Sequence, residues 1–237
     1  MEIELPKCIA EAGAEHHVDK INNTCRLTVL GLVKKQLEDE YNEVLRDPVF
    51  GLILAINEHE IRYSGKVIHS FICKMLDISK RRELWFSFAR KPLRFSMQEF
   101  YAVTGLRREA DKDTDFEAWR NDKGLVMDSD KLRKYPWGLH AYDLLLDSIK
   151  KARFKLKKNS YVLDGFSYAL QIWLMEAIPD IGTLLGQKYK EGITSVRCQN
   201  WYGNRKVSYH DITALETALG KVNINIKFIY LFITYKY

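Results

Sequence analysis

Residues 83–106 read ELWFSFARKPLRFSMQEFYAVTGL, and this stretch decides the fold. Phe86 and Phe88 alternate with Trp85 and Ser87, and Leu93 and Phe95 alternate beyond a basic Arg90-Lys91-Pro92 turn. Period-two patterning on both sides of a turn predicts a β-hairpin over Glu83 to Phe95. Ser96-Met97-Gln98-Glu99 follows with the pattern of a capping box. There the Ser hydroxyl takes an orphan amide at a helix start, and the Glu reaches back to the cap. Phe100, Val103 and Leu106 come next at helical spacing, and Gly105 supplies a stop. A strand period gives way to a helical one within a few residues, so short hairpins are expected to mix with helices.

Helical patterns dominate on either side. Leu27, Leu30, Val33, Leu37, Tyr41 and Leu45 predict one helix from Arg26 to Arg46, stopped by Asp47-Pro48. Val49 to Ile56 is an apolar run compatible with helix or strand. Gly65 to Leu76 predicts a helix with Val67, Ile68, Phe71, Ile72 and Met75 inward. Arg107 to Arg133 is charged and irregular; it reads as a surface insertion with one helical turn around Phe116 to Arg120. Pro136 opens a helix running to about Lys157, with Leu139, Tyr142, Leu145, Leu146 and Ile149 as its buried stripe.

Asp164 is expected to cap a helix from Phe166 to Ile178 that Pro179 ends. Phe166, Tyr168, Leu170, Ile172, Trp173, Leu174 and Met175 leave it apolar nearly all round, which predicts a central position. Val196 to Tyr209 reads as a second hairpin turning at Gly203-Asn204. Ser208 and Asp211 start a last short helix that Gly220 ends. The expected fold is α+β and predominantly α-helical, a helical bundle with two short β-hairpins. Residues 1–25 read as a loose N-terminal arm and 26–220 as a single domain. Residues 221–237 read as an atypical apolar tail, rich in Ile, Phe and Tyr and prone to aggregate if exposed.

Composition narrows the function. Apolar residues make up 46% of the chain, enough to build a core, so wholesale disorder is not expected. A net charge of +6 and a pI of 9.0 favour acidic partners such as nucleic acid. The cysteines Cys8, Cys25, Cys73 and Cys198 are scattered, and MEIELPKC at the start has no apolar signal core. Nucleus or cytoplasm, rather than secretion, is the expected location. No apolar run reaches the roughly 20 residues of a membrane span.

Little in the sequence points to catalysis. No Walker loop, G-x-G-x-x-G or H-E-x-x-H is present, so no cofactor and no small-molecule ligand is expected. Cys8, His16, His17 and Cys25 are zinc-ligand types but lack the close pairs of closed zinc sites, and read as part of a polar arm. Cys73 lies on an apolar helix face and reads as a small core residue; no cysteine-protease signature surrounds any Cys. Glu176, near the end of the most apolar helix, is either an acid or base of raised pKa or a structural carboxylate that pairs with an Arg or points out at the helix end.

Charge carries the strongest signal. Lys150, Lys151, Arg153, Lys155, Lys157 and Lys158 form one basic cluster, and Lys80, Arg81, Arg82, Arg90, Lys91 and Arg94 form another around the first hairpin. The first is either a solvated helix end favoured by the macrodipole or a phosphate contact or nuclear import signal. In the second, Trp85 and Phe95 interleave with the cations, as in nucleic-acid contacts, although alternating aromatics on a hairpin also serve to pack on helices.

The same blocks resemble a plant domain of unknown function, numbered nineteen-eighty-five. The resemblance rests on residues 49–56, Ser64-Gly65-Lys66, residues 83–106, Tyr135-Pro136-Trp137-Gly138 and residues 161–179, with 196–201 and 206–209 as its sequel. It spans roughly Arg26 to Leu219. Its motif residues are Trp85, Phe86, Phe88, Pro92, Phe95, Ser96, Glu99, Phe100, Gly105, Tyr135, Pro136, Trp137 and Gly138, then Gly165, Phe166, Ala169, Leu170, Trp173 and Pro179, all in structural roles. Such domains are often encoded beside Ulp-type SUMO-protease domains in Mutator-like transposon genes. The resemblance implies a mainly helical, non-catalytic module that meets nucleic acid or a nuclear protein. Its alternatives are an accessory part of a SUMO-protease system lacking its protease, or a truncated product without function. Relatives usually carry a further apolar segment where Met127 to Lys134 stands here. That gap and the unlike tail suggest a shortened or misassembled gene product.

Overall fold

The computed structural model describes residues 6–10, 18, 20–25, 27–78, 80–109, 115–122, 124, 127–189 and 196–221. Within it the helix expected from Arg26 to Arg46 breaks in two. α1 (Thr28–Gln36) and α2 (Glu38–Leu45) meet at Leu37, whose φ of −133° and ψ of 60° are not helical. Glu38, Asp39 and Glu40 follow the break, where carboxylates suit the positive end of a new helix. The break sends Tyr41 into the core and leaves Val33 and Leu37 exposed, so the stripe predicted for one continuous helix is not realised.

The open run at Val49 to Ile56 is helical, in α3 (Gly51–Glu58). α4 (Gly65–Cys73) starts at Ser64, whose hydroxyl accepts from the Val67 amide at 3.4 Å. Strands β2 (Glu83–Phe88) and β3 (Lys91–Ser96) form the expected hairpin, with Trp85 opposite Arg94 and Phe86 opposite Leu93. Its turn is Ala89-Arg90, one step before the expected position, and Lys91 and Pro92 belong to β3. Both turn residues take positive φ, 50° and 63°, as the twist of a two-residue hairpin loop requires. Single β-bridges extend this pairing: Met75 to Phe86, and Leu76 to Cys8 of the N-terminal segment.

α5 (Met97–Thr104) carries the capping box. The Glu99 carboxylate accepts from the Ser96 amide at 2.8 Å and from its hydroxyl, and Ser96 Oγ accepts from the Gln98 amide at 3.2 Å. Gly105 ends the helix in the left-handed region, φ 66°, which Cβ-bearing residues enter at a cost. The insertion holds α6 (Phe116–Asn121) and an unanticipated α7 (Ser129–Lys134). Asp128 caps the latter by accepting from the Asp130 and Lys131 amides at 3.1 and 3.0 Å. α8 (Trp137–Ala152) stops short of Lys157 and passes through a 3-10 turn, Arg153–Lys155.

β4 (Ser160–Leu163) pairs in parallel with β1 (Lys20–Asn23), Lys20 opposite Ser160. The arm expected to be loose therefore contributes a strand, and Val18 beside it is buried. α9 (Ser167–Ala177) is the helix predicted to be central, and every residue from Ser167 to Met175 is buried. Asp164 does not cap it: the N-cap is Phe166, and the Ser167 and Ala169 amides turn back to the Gly165 and Phe166 carbonyls at 3.0 Å each. Pro179 both ends α9 and opens α10 (Pro179–Leu185), where its missing N–H costs nothing. The second hairpin is corrected. β5 (Gln187–Lys188) pairs with β6 (Trp201–Tyr202), while Arg197–Gln199 is a 3-10 turn. α11 (Tyr209–Lys221) begins at the expected Ser208–Asp211 pair, with Ser208 Oγ donating to the carboxylate at 2.7 Å, and runs through Gly220. The tail from residue 222 lies outside the described residues.

The core closes around α9, on which α5, α10, α4 and β3 pack. Phe86 and Phe95 of the hairpin meet Trp173 with ring centroids 6.0 and 5.1 Å apart. Phe95 also meets Phe100 and Tyr142, so one aromatic cluster joins the hairpin, α5, α8 and α9. Gln171 is a buried polar residue on α9, as is Ser167, and it is satisfied on both sides. Its oxygen accepts from the Ser64 amide at 2.7 Å and its nitrogen donates to the Arg62 carbonyl at 2.9 Å, pinning the loop that leads into α4. The fold is α+β and mostly helical, as expected.

Candidate nucleic-acid interface

Two basic stretches some seventy residues apart share one face. Lys80, Arg81 and Arg82 lead into β2; Lys150, Lys151, Arg153, Lys155, Lys157 and Lys158 run from the last turn of α8 into the segment before β4. The Lys150 ammonium donates to the Arg81 main-chain carbonyl. One helix face earlier, the Tyr142 hydroxyl donates to the Arg82 carbonyl at 2.6 Å, and the Arg82 guanidinium pairs with Asp143 at 2.5 Å. α8 thus straps down the leader of the hairpin and sets the two clusters side by side.

A groove of about 280 Å³ lies beside them, between residues 75–85 and the end of α8. Met75, Leu76 and Leu84 give it an apolar floor, and Trp85, Phe154, Lys150 and Arg153 stand at its walls. Phe154 is 76% exposed, far more than a core aromatic would be. It belongs to the 3-10 turn, and the Arg153 guanidinium sits over its ring, 4.6 Å from the centroid. Burial lowers the pKa of Lys150, and the nearby Arg81, Arg153 and Arg82 lower it further against the pull of Asp147. Besides Asp143 and Asp147, two further carboxylates temper the face: Asp77 lies 3.9 Å from Arg153, and Glu83 accepts from the Trp85 indole N–H at 2.8 Å. Among the described residues Lys80, Lys151, Lys155, Lys157 and Lys158 have no ion-pair partner, so a positive surplus faces solvent.

The remaining cations of the hairpin cluster are placed elsewhere. Arg90 and Lys91 sit at its tip, and a six-residue strand separates tip from base by about 20 Å. The tip rests on α11, where Glu216 accepts from the Ala89 amide at 3.2 Å and from Lys74. Arg94 turns its guanidinium to Glu99 and Gln98, at 3.0 and 3.2 Å. Cross-strand position, not sequence proximity, divides this cluster.

The motif residues take these places. Phe86, Phe88, Phe95, Phe100, Tyr135, Phe166, Ala169, Leu170 and Trp173 are buried, while Trp85 and Pro92 lie on the half-exposed side of the hairpin. Pro136 stands at the start of α8. Trp137 donates its indole N–H to the Leu132 carbonyl at 2.7 Å, and the Gly138 amide donates to the Arg107 carbonyl at 2.9 Å, tying α8 to the end of α5.

The other sequence candidates are sealed or paired. Cys73 and His69, four residues apart on α4, meet with Sγ and Nε2 3.4 Å apart, and His69 Nδ1 lies 2.9 Å from the Tyr161 hydroxyl. The sequence offered His69, with His59, His140 and His210, for a Cys–His pair without choosing a cysteine, although the i, i+4 spacing to Cys73 carried the signal. Cys73 and His69 are at most 2% exposed, so a substrate does not reach the thiol. Glu176 takes the structural alternative, with a Lys rather than an Arg. It accepts from the Trp201 indole at 2.6 Å and pairs with Lys188 at 3.1 Å. Burial pushes the Cys198 thiol up to about 12, which disfavours the thiolate. Among the described residues no group of three His, Cys, Asp or Glu side chains is placed to hold a metal; His16 and His17 lie outside them. Nor is any described helix long and apolar enough to cross a membrane.

Comparison with known families gives one match: residues 72–125 match the model of a domain of unknown function (DUF1985). The match holds the hairpin, α5 and the start of the insertion. No curated protein and no solved structure matches the chain.

Proposed function

We propose that this chain, which carries a DUF1985 segment, is a non-catalytic interaction module whose groove between β2 and the end of α8 binds single-stranded nucleic acid. The observation that carries the reading is Phe154, held out in solvent beneath Arg153 and bordered by lysines without partners. An exposed ring of this kind offers a base a stacking platform, and the surrounding cations meet the phosphates. The groove also has room for one splayed base against Trp85. Duplexes bury their bases, so an unpaired strand is the better substrate. A place in the nucleus and a transposon-derived origin are part of the same proposal and rest on the family resemblance.

The test is binding of a fluorescent oligonucleotide by anisotropy across a salt series, single strand against duplex. Single strands are expected to bind more tightly, and affinity is expected to fall with salt at a log–log slope of about −0.7 per neutralised phosphate. No binding at low salt, or duplex preferred over single strand, would overturn the reading. Salt-insensitive capture of a SUMO-protease domain in place of nucleic acid would replace it with an accessory role.

A further inference from the structure

The groove beside the basic clusters sorts its polar groups by wall. Asp77 and Glu83 stand on the wall built from residues 75–85; Lys150, Lys151 and Arg153 stand on the wall built from the end of α8 and the turn after it. No hydroxyl or amide side chain is among the described residues that line it. Its side-chain acceptors are therefore carboxylates, and its donors are cations and the Trp85 indole.

The two carboxylates are not equally engaged. Glu83 Oε2 holds the Trp85 indole N–H at 2.8 Å and so fixes the edge of that ring. Asp77 Oδ1 lies 3.9 Å from Arg153 Nη1, beyond hydrogen-bond reach, and the Asp77 side chain is 76% exposed. Among the described residues no donor lies within hydrogen-bond distance of either Asp77 oxygen, so both can accept from a ligand.

A carboxylate accepts and does not donate, so a base that meets Asp77 has to bring N–H groups. The Watson–Crick edges of unpaired bases differ in this respect. Guanine presents two neighbouring donors, N1–H and the N2 amino group, which match the two oxygens of one carboxylate. Thymine and uracil present one N–H between two carbonyls, and a carboxylate repels both carbonyls. Adenine and cytosine bring an amino group beside a ring nitrogen that only accepts. Guanine alone pairs its two donors with O6 and N7, acceptors that suit the cations of the other wall.

We propose that the groove selects guanine, its Asp77 carboxylate accepting from N1–H and the N2 amino group of a base stacked on Trp85, with the cations at the end of α8 toward O6 and N7. This rests on the reading of the groove as a single-strand site and adds the base that the site prefers.

Competition against a labelled thymine strand of about ten nucleotides tests it, using the full chain and unlabelled strands that differ at one central base. Guanine is expected to compete at least about fivefold better than thymine, adenine or cytosine, as a bidentate base contact discriminates. Hypoxanthine, which is guanine without its N2 amino group, is expected to lose most of that advantage. Asp77→Asn removes a negative charge along with the acceptor pair. Lost charge alone tightens every strand, so the variant is expected to bind thymine no more weakly than the wild type while its preference for guanine disappears. Asp77 is exposed, so the variant is expected to melt as the wild type does. If the labelled strand binds but guanine is no better than thymine, the proposal is overturned and single-strand binding stands. Hypoxanthine equal to guanine, or a guanine preference that survives in Asp77→Asn, has the same meaning. A labelled strand that does not bind at low salt overturns the reading of the groove itself, and the base preference with it.

Discussion

The ammonium of Lys150 donates to the main-chain carbonyl of Arg81, and this one bond joins basic clusters that the sequence keeps apart. Lys150→Met retains the apolar stem and removes the charge and the donor. A charged hydrogen bond at a half-buried site contributes about 1 kcal/mol after solvent screening, and that much stability is expected to be lost. Thermal denaturation measures it. The salt slope of oligonucleotide binding is expected to change by less than one phosphate contact, because Lys150 is engaged with the protein. A change larger than that would mean that Lys150 itself faces phosphate.

Phe154→Ala separates stacking from charge. The ring is largely in solvent, so stability is expected to move by less than about 0.5 kcal/mol. Stacking on an aromatic platform is worth about 1–3 kcal/mol per base, so affinity for a single strand is expected to fall about 5- to 150-fold with the salt slope unchanged. Loss of slope in place of affinity would show that the turn contributes charge alone.

Gly182→Ala tests the packing of α10. A Cβ there would lie 2.1 Å from the indole ring of Trp201, which is itself almost fully buried and hydrogen-bonded to Glu176. Displacing that ring strains α10, β6 and the Glu176 contact together. Overpacking of this kind costs about 1–3 kcal/mol, or a melting temperature lower by several degrees. A shift of Trp fluorescence on substitution would report that the indole moved; no change in either quantity would mean that the ring has room to retreat.

Stability is expected to fall in two steps on acidification. The first comes from His59, whose pKa burial lowers in the fold. Below about pH 6.5 the unfolded chain takes up the proton more readily than the folded one, so stability present above that pH is lost as it falls. The second comes from Glu58 and Asp47. The Lys34 ammonium holds the Glu58 carboxyl below its ordinary value. At Asp47 burial works in the raising direction, but the Phe50 and Val49 amides and Arg133 outweigh it and leave the carboxyl lowered. Their contribution is present above the unfolded values near 4 and is lost as pH drops through the folded ones. Chemical denaturation between about pH 8 and pH 3 measures both steps. In His59→Gln the decline near pH 6 should disappear while the step at lower pH remains.

Much of the candidate site was legible in the sequence only as a list of cations. Proximity in sequence groups those cations differently from their positions in the fold. Arg81 belongs with Lys150 because α8 lies across the hairpin leader, whereas Arg90 lies at the far end of a strand and Arg94 is turned to Glu99. Phe154 was not singled out, since an apolar residue among lysines reads as helix stem until the helix is seen to end at Ala152.

What the sequence determined by itself is what near neighbours decide. The hairpin alternation, the Ser96–Glu99 box, the Ser208–Asp211 cap and the all-round apolar α9 follow from side chains a few residues apart acting on their own backbone. Tertiary structure decided the rest. Lys20–Asn23 is a strand because Ser160–Leu163 offers it a free edge, and Gln187–Lys188 is one because Trp201–Tyr202 does. Beyond the break at Leu37, Tyr41 meets Glu58 of α3. Each partner is distant in sequence, and a pairing of that kind exists only once the core has brought the two segments together.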